Sequence, residues 1–169
     1  MSLIIKKAKI EDIPAIYDIT KEAFEKYAID LGLPQTVSAL KENEETILND
    51  MKKKCILIAL LDGIPVGSIR YEILPGNVAY ISRFGVKLDV QKCGVGNALV
   101  QSVEDDVRSK GVTVITLHTA TKMTSLVRSY SGMGFYIHST TTDRGYIRGL
   151  FCKELTQEAV PSLDCVNCK

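Results

Sequence analysis

The chain predicts a mixed α/β fold: a central, mostly antiparallel sheet built around one parallel unit and flanked by about four helices. Three observations lead there. Two apolar runs, Cys55 to Leu61 and Ile64 to Leu74, are separated by Asp62-Gly63, a hairpin signal. A third run, Val78 to Val86, passes through a loop with Gly94 and Gly96 directly into an amphipathic helical pattern, and a β-branched run follows at Val112 to Thr119. Strand, helix and strand in that order form a crossover between parallel strands.

Taken in order, Leu3 to Ala8 is a short strand. Glu11-Asp12 opens a helix to about Tyr27, with Ile13, Ile16, Ile19, Ala23 and Phe24 near helical spacing. Pro14 falls in its first turn, where a missing N–H costs little. Asp30 to Ser38, with Gly32 and Pro34, reads as a loop, and Val37 to Lys54 as a second, more polar helix. After the hairpin, Pro75-Gly76-Asn77 turns the chain into the third run. Asn97 to Lys110 is a helix burying Leu99, Val100, Val103 and Val107, and Gly111 stops it. Val112 to Thr119 is a strand, and Met123 to Gly132 a helix ended by Gly132 or Gly134. Phe135 to Thr140 and Tyr146 to Leu155 are the closing strands. Residues 1–155 make one domain; residues 156–169 lack periodicity and read as a disordered tail.

Composition narrows the function. The 169 residues carry a net charge of +1, which leaves no basic footprint for nucleic acid. No apolar run approaches the ~20 residues that span a bilayer. The N-terminal Met-Ser-Leu-Ile-Ile-Lys-Lys is no signal peptide, and five irregularly spaced cysteines do not form a secreted disulfide scaffold. A reducing cytoplasm is the expected compartment.

The loop after Val86 combines a strand end, two glycines and a helix N-terminus. Main-chain N–H groups and the positive end of the helix dipole converge there on an anion, which points to a phosphate or pyrophosphate ligand. A P-loop would need Lys-Ser/Thr after Gly96, and Asn97-Ala98 stands there. A dinucleotide fingerprint would need a third glycine where Leu99 stands. Val86-x-Leu88-x-x-Gln91-x-x-Gly94-x-Gly96 instead resembles the coenzyme A signature of the GNAT superfamily of N-acetyltransferases. Further on, Tyr130-Ser-Gly-Met-Gly134-Phe135 matches the Tyr-x-x-x-Gly-Phe core of the family's second signature. The element order resembles the GNAT acyl-CoA N-acyltransferase fold from the first strand to Leu155.

The resemblance implies acetyl-CoA as cosubstrate, no metal, and a small-molecule or peptide amine as acceptor, with homodimerisation common in the family. Gln91, Lys92, Cys93, Gly94, Val95, Gly96 and Asn97 would hold the pyrophosphate. Phe84, Gly85 and Val86 would line the pantetheine arm, the Val86 N–H polarising the thioester carbonyl. Tyr130 would return a proton to the departing thiolate. The general base is less defined. Family members commonly carry a glutamate where this chain has Ser82, followed by Arg83; Glu72 on the preceding strand is the candidate, acting through water. The family's asparagine of the second signature is replaced by Met123, with Thr121 or Thr124 as substitutes. These departures keep a non-catalytic CoA-binding sensor module as the alternative.

Other reactive side chains carry weaker signals. Cys93 lies near a helix N-terminus, where thiol acidity rises, but faces phosphate rather than thioester. Cys165 and Cys168 form a C-x-x-C pair without the four ligands of structural zinc. His118 and His138 have no nucleophile partner at a recognisable spacing. Phe24, Tyr27, Tyr71 and Arg83 would line the acceptor cleft by analogy of fold.

Overall fold

The protein is described by a computed structural model covering residues 1–33 and 37–169. Pro34, predicted within a loop, lies outside the described residues. Seven strands form one sheet in the order β1-β2-β3-β4-β5-β7-β6. They are β1 (Leu3–Lys7), β2 (Cys55–Leu61), β3 (Ile64–Leu74), β4 (Val78–Val86), β5 (Val114–Ala120), β6 (Tyr136–Thr141) and β7 (Arg148–Glu154). The helices are α1 (Ile13–Leu31), α2 (Glu44–Lys53), α3 (Val95–Arg108) and α4 (Thr124–Gly132). β4 and β5 pair in parallel, Val78 opposite Val114, as the crossover requires. The other registers, β1 with β2, β2 with β3, β5 with β7 and β6 with β7, are antiparallel.

Contacts divide the chain into two compact units, Met1–Tyr71 with Arg83–Val103, and Glu72–Ser82 with Glu104–Lys169. In the first, Ile13 and Ile16 of α1, Ile47 of α2 and Ile56 and Ile58 of β2 form a buried cluster. Each fully buried isoleucine contributes about 1.5–3 kcal/mol. Asp62 and Gly63, at φ 50° and 82°, turn β2 into β3 with the left-handed backbone that a two-residue hairpin demands. α1 extends a turn beyond the expected end because Ala28 and Leu31 continue its buried face; Gly32, at φ 78°, caps it through N–H bonds to the Ala28 and Ile29 carbonyls.

The expected helix from Val37 to Lys54 is not continuous. A 3₁₀ turn, Ser38–Lys41, comes first, and Glu42 is extended. Asn43 then caps α2, its Oδ1 accepting the Thr46 N–H at 2.9 Å while its own N–H donates to Thr46 Oγ1 at 3.0 Å. The break turns the Glu42 side chain inward, where Arg70 of β3 donates to both its oxygens and to Asp50.

In the second unit Val78, Tyr80, Val114, Leu150 and Cys152 form a cluster that also takes in Leu163 and Val166. Residues 156–169 are therefore not a disordered tail: Val166 is fully buried, and a 3₁₀ turn, Asp164–Val166, shapes the segment. Two apolar residues three apart are too few to show as periodicity, yet enough to dock on a preformed apolar face.

Candidate active site

Within the first unit, two glycines let the helices approach the sheet. A Cβ on Gly85 of β4 would stand 2.9 Å from the Ala23 Cβ of α1, and one on Gly67 of β3 would stand 3.0 Å from Leu99 and Val95 of α3. Gly85 thus lets α1 approach β4 closely. Arg83, two residues earlier, has φ 48°, a left-handed backbone that a side-chain-bearing residue seldom adopts within a strand.

Past Val86 the chain makes a 3₁₀ turn, Leu88–Val90, and then a tight loop. The Lys87 N–H donates to the Val66 carbonyl at 2.7 Å, and the Leu88 N–H to Glu22 of α1 at 2.7 Å. Lys92 and Gly94 both have positive φ, 67° and 83°, on either side of Cys93. Alternation of that kind turns successive N–H groups toward one concave side. The first bond of α3 runs from the Ala98 N–H to the Gly94 carbonyl at 3.0 Å. The N–H groups of Val95, Gly96 and Asn97 precede it and have no carbonyl of their own helix to meet.

The two loop glycines have different duties. Gly94 supplies the left-handed turn, with nothing within 4 Å of where a Cβ would stand. Gly96 already lies in α3, has no positive φ, and packs beside the Phe84 ring, 3.4 Å from where a Cβ would be. The helix therefore begins two residues earlier than the periodicity of its apolar face predicts. Gln91 Nε2 donates to the Val86 carbonyl at 3.4 Å, and Gln91, Lys92, Cys93 and Asn97 are exposed.

The first unit also holds the Arg70–Glu42–Asp50 cluster, joined by Arg83, whose Nε donates to Glu42 at 3.3 Å. Arg70 is fully buried. Sequence reasoning misses this cluster; an arginine inside an apolar strand is its one visible signal. Glu42 and the buried Thr20 line a cleft of about 140 Å³ together with Tyr17, Lys21 and Glu25.

In the second unit, Tyr130 of α4 is buried, its ring edge-on to Phe135 at 5.9 Å and tilted against Phe151 at 5.7 Å. The Tyr-x-x-x-Gly-Phe motif is a helix stop. Gly134 has φ 96°, and the Phe135 N–H returns to the Tyr130 carbonyl at 3.0 Å. Met123 precedes α4 without a side-chain cap, and Thr121 Oγ1 donates to the Ile147 carbonyl at 3.4 Å. Glu72 of β3 accepts from Lys169 Nζ at 2.8 Å. Tyr80 Oη and His118 Nδ1 lie 2.7 Å apart. Burial, and then the charges of Arg148 and Arg144, push His118 down to about 4, so it is neutral at pH 7. Burial would raise the Glu104 carboxyl, but hydrogen bonds from Lys153 and Arg108 outweigh it and hold the group below its usual range.

Among the described residues no helix is long and apolar enough to cross a membrane, and no group of three or more His, Cys, Asp or Glu is placed to hold a metal ion. All five cysteines are free; Cys168 Sγ donates to the Cys165 carbonyl at 3.8 Å.

Comparison with known proteins bears on the family and the fold. The family model "Acetyltransferase (GNAT) family" matches residues 13–135. The PaiA N-acetyltransferase of Thermoplasma acidophilum, solved in complex with coenzyme A, has a TM-score of 0.81 at 20% identity, covering 91% of this chain and 99% of that one. The ribosomal-protein-S18-alanine N-acetyltransferase of Escherichia coli has a TM-score of 0.74 at 17% identity, covering 95% and 99%. YncA of Salmonella typhimurium, described as a putative acetyltransferase with its cofactor acetyl-CoA, has a TM-score of 0.68 at 17% identity, covering 96% and 99%. At these identities the likeness is one of fold. A comparison with curated protein sequences gives no match.

Proposed function

The chain belongs to the GNAT family of acetyltransferases, and we propose that it is an N-acetyltransferase that passes the acetyl group of acetyl-CoA to a primary amine attacking directly in a ternary complex. The observation that carries the reading is the loop from Gln91 to Asn97. Its left-handed Lys92 and Gly94, and the three leading N–H groups of α3, form a cradle of donors suited to a pyrophosphate.

Acetyl-CoA supplies the acetyl group as a thioester. In this reading Phe84, Gly85 and Val86 line its pantetheine arm, and the Val86 N–H stabilises negative charge developing on the carbonyl oxygen. The amine nitrogen forms a bond to the carbonyl carbon as the C–S bond breaks. The amine's proton goes to Glu72 through water, and Tyr130 Oη gives a proton to the departing sulfur. Cys93 is exposed at the loop and stands apart from this route.

The acceptor class in this reading is a small-molecule or peptide amine. The five free cysteines support a reducing, cytoplasmic setting. β6, one of the two outer strands of the sheet and exposed along its whole length, supports a homodimer. Thiol release from acetyl-CoA, followed across a panel of polyamines, amino acids and peptides, tests the proposal. Turnover on an amine supports it. Tight CoA binding with no turnover on any amine would mark a sensor module instead, and equal or better binding of NAD or ATP would refute the coenzyme assignment.

A further inference from the structure

One face of the sheet in the second unit, presented by alternate residues of β4, β5 and β7, is dense in polar groups. It carries Tyr80 and His118, paired at 2.7 Å. Ser82 Oγ and Arg148 Nε are buried there without a hydrogen-bond partner among the described residues. Residues 156–169 cross this face. Leu163 and Val166 anchor the segment in the apolar cluster of Val78, Tyr80, Val114, Leu150 and Cys152. Beyond the anchor, Arg144 donates to the Lys169 backbone oxygen at 2.9 Å and Arg148 to the same oxygen at 3.4 Å. Lys169 Nζ then reaches Glu72 Oε1 at 2.8 Å.

From this arrangement we infer that Glu72 is a subsite for the ammonium group of a primary alkylamine, and that Lys169 occupies it as an internal stand-in, making residues 156–169 a strap that an incoming cationic amine displaces. A lysine side chain is itself an alkyl chain ending in a primary ammonium, the chemistry that an amine acceptor brings. The Glu72 side chain is only 16% exposed, so a carboxylate there is costly without a cation beside it. Charge-assisted hydrogen bonding makes any ammonium of the right reach a suitable replacement.

The strap is held unequally along its length. Val166 is fully buried, whereas the Lys169 side chain keeps 28% of its surface in solvent. Lys169 can therefore leave Glu72 while the Leu163–Val166 anchor stays seated. The hydrogen bond to Glu72 also raises the Lys169 amine above its usual range. It stays protonated and non-nucleophilic, which suits an occupant of the site rather than a substrate of the reaction.

The inference rests on the acetyltransferase reading only in calling the displaced amine an acceptor; ammonium binding at Glu72 does not require it. The test is calorimetric titration of the full chain with spermidine as the probe amine. Lys169→Met keeps most of the apolar stem and removes the charge. Spermidine should bind Lys169→Met at least tenfold more tightly than wild type, and Lys169→Arg should behave as wild type. In a Glu72→Gln background the Lys169→Met gain should vanish. Equal affinity for wild type and Lys169→Met, or a gain that persists with Glu72→Gln, overturns the inference. Should Lys169→Met unfold, NMR of wild-type protein with ¹³C-labelled lysine replaces it. Saturating spermidine should shift the Lys169 Cε resonance, and an unmoved resonance refutes displacement. Acetyl-CoA binding, measured on the same samples, judges the acetyltransferase reading separately.

Discussion

Gly94 and Gly96 stand two residues apart in one loop, and the structure separates their responses to the same substitution. Gly94 has φ 83° and open space around the missing side chain, so Gly94→Ala meets no clash and costs only the strain of a left-handed alanine. That strain is about 1 kcal/mol, a fall of about 3 °C in the unfolding midpoint of a chain this long. The functional cost is larger. Relaxing position 94 toward negative φ rotates the N–H groups on either side of it away from the concave side. Losing one or two hydrogen bonds to a charged pyrophosphate, each about 1.5–3 kcal/mol, weakens coenzyme A binding by roughly ten- to ten-thousandfold. Gly96→Ala is the control. Its backbone is helical, and the new methyl would meet the Phe84 ring at 3.4 Å, a contact the ring can absorb. Alanine's better helix propensity offsets part of any crowding, so stability should stay within about 0.5 kcal/mol of wild type and CoA affinity should hold. Calorimetric titration with CoA and thermal unfolding of both variants decide the matter. Gly94→Ala binding CoA within twofold of wild type, or the two variants losing affinity equally, would refute the cradle.

Tyr130→Phe should reduce kcat on the order of a hundredfold and leave the KM for acetyl-CoA near wild type, since the ring contacts with Phe135 and Phe151 survive; steady-state thiol release measures it, and an unchanged kcat removes Tyr130 from the proton transfer. Arg70→Met strips the fully buried cation from Glu42 and Asp50, and urea unfolding should show a loss of about 3–5 kcal/mol, whereas a loss under about 1 kcal/mol would mean that water reaches the cluster. His118 is held down at about 4 in the folded state against 6.5 for the free side chain. Between those values the unfolded chain binds the extra proton, so folding stability rises with pH across that window and is lost as pH falls through it. Urea unfolding at pH 7 and pH 4.5 should show wild type losing on the order of 2 kcal/mol more than His118→Gln; parallel losses would refute the buried neutral imidazole.

How much of this is legible in the sequence depends on the range of the forces that set each feature. β2, β3 and β4 have the bounds that their apolar runs and turn residues predict, because Asp62-Gly63 and Gly76-Asn77 turn the chain through backbone chemistry written in adjacent residues. The anion loop is readable for the same reason: strand end, glycines and helix start are consecutive. The second helix departs from its pattern because its break at Glu42 answers a demand from Arg70, 28 residues away, and no local pattern records that. The strap is the extreme case, since Glu72 and Lys169 are 97 residues apart and neither lies in a motif. This difference bears on how the protein would vary. In the proposed function, cosubstrate binding rests on contiguous residues that can be kept as a block. The surroundings of Glu72 rest on a distant segment held by two buried apolar residues, by hydrogen bonds from Arg144 and Arg148, and by one ammonium. On the proposed reading of Glu72 as an ammonium subsite, substitutions in residues 156–169 change which amines reach it while leaving the loop from Gln91 to Asn97 untouched, so acceptor preference is free to drift separately from coenzyme affinity.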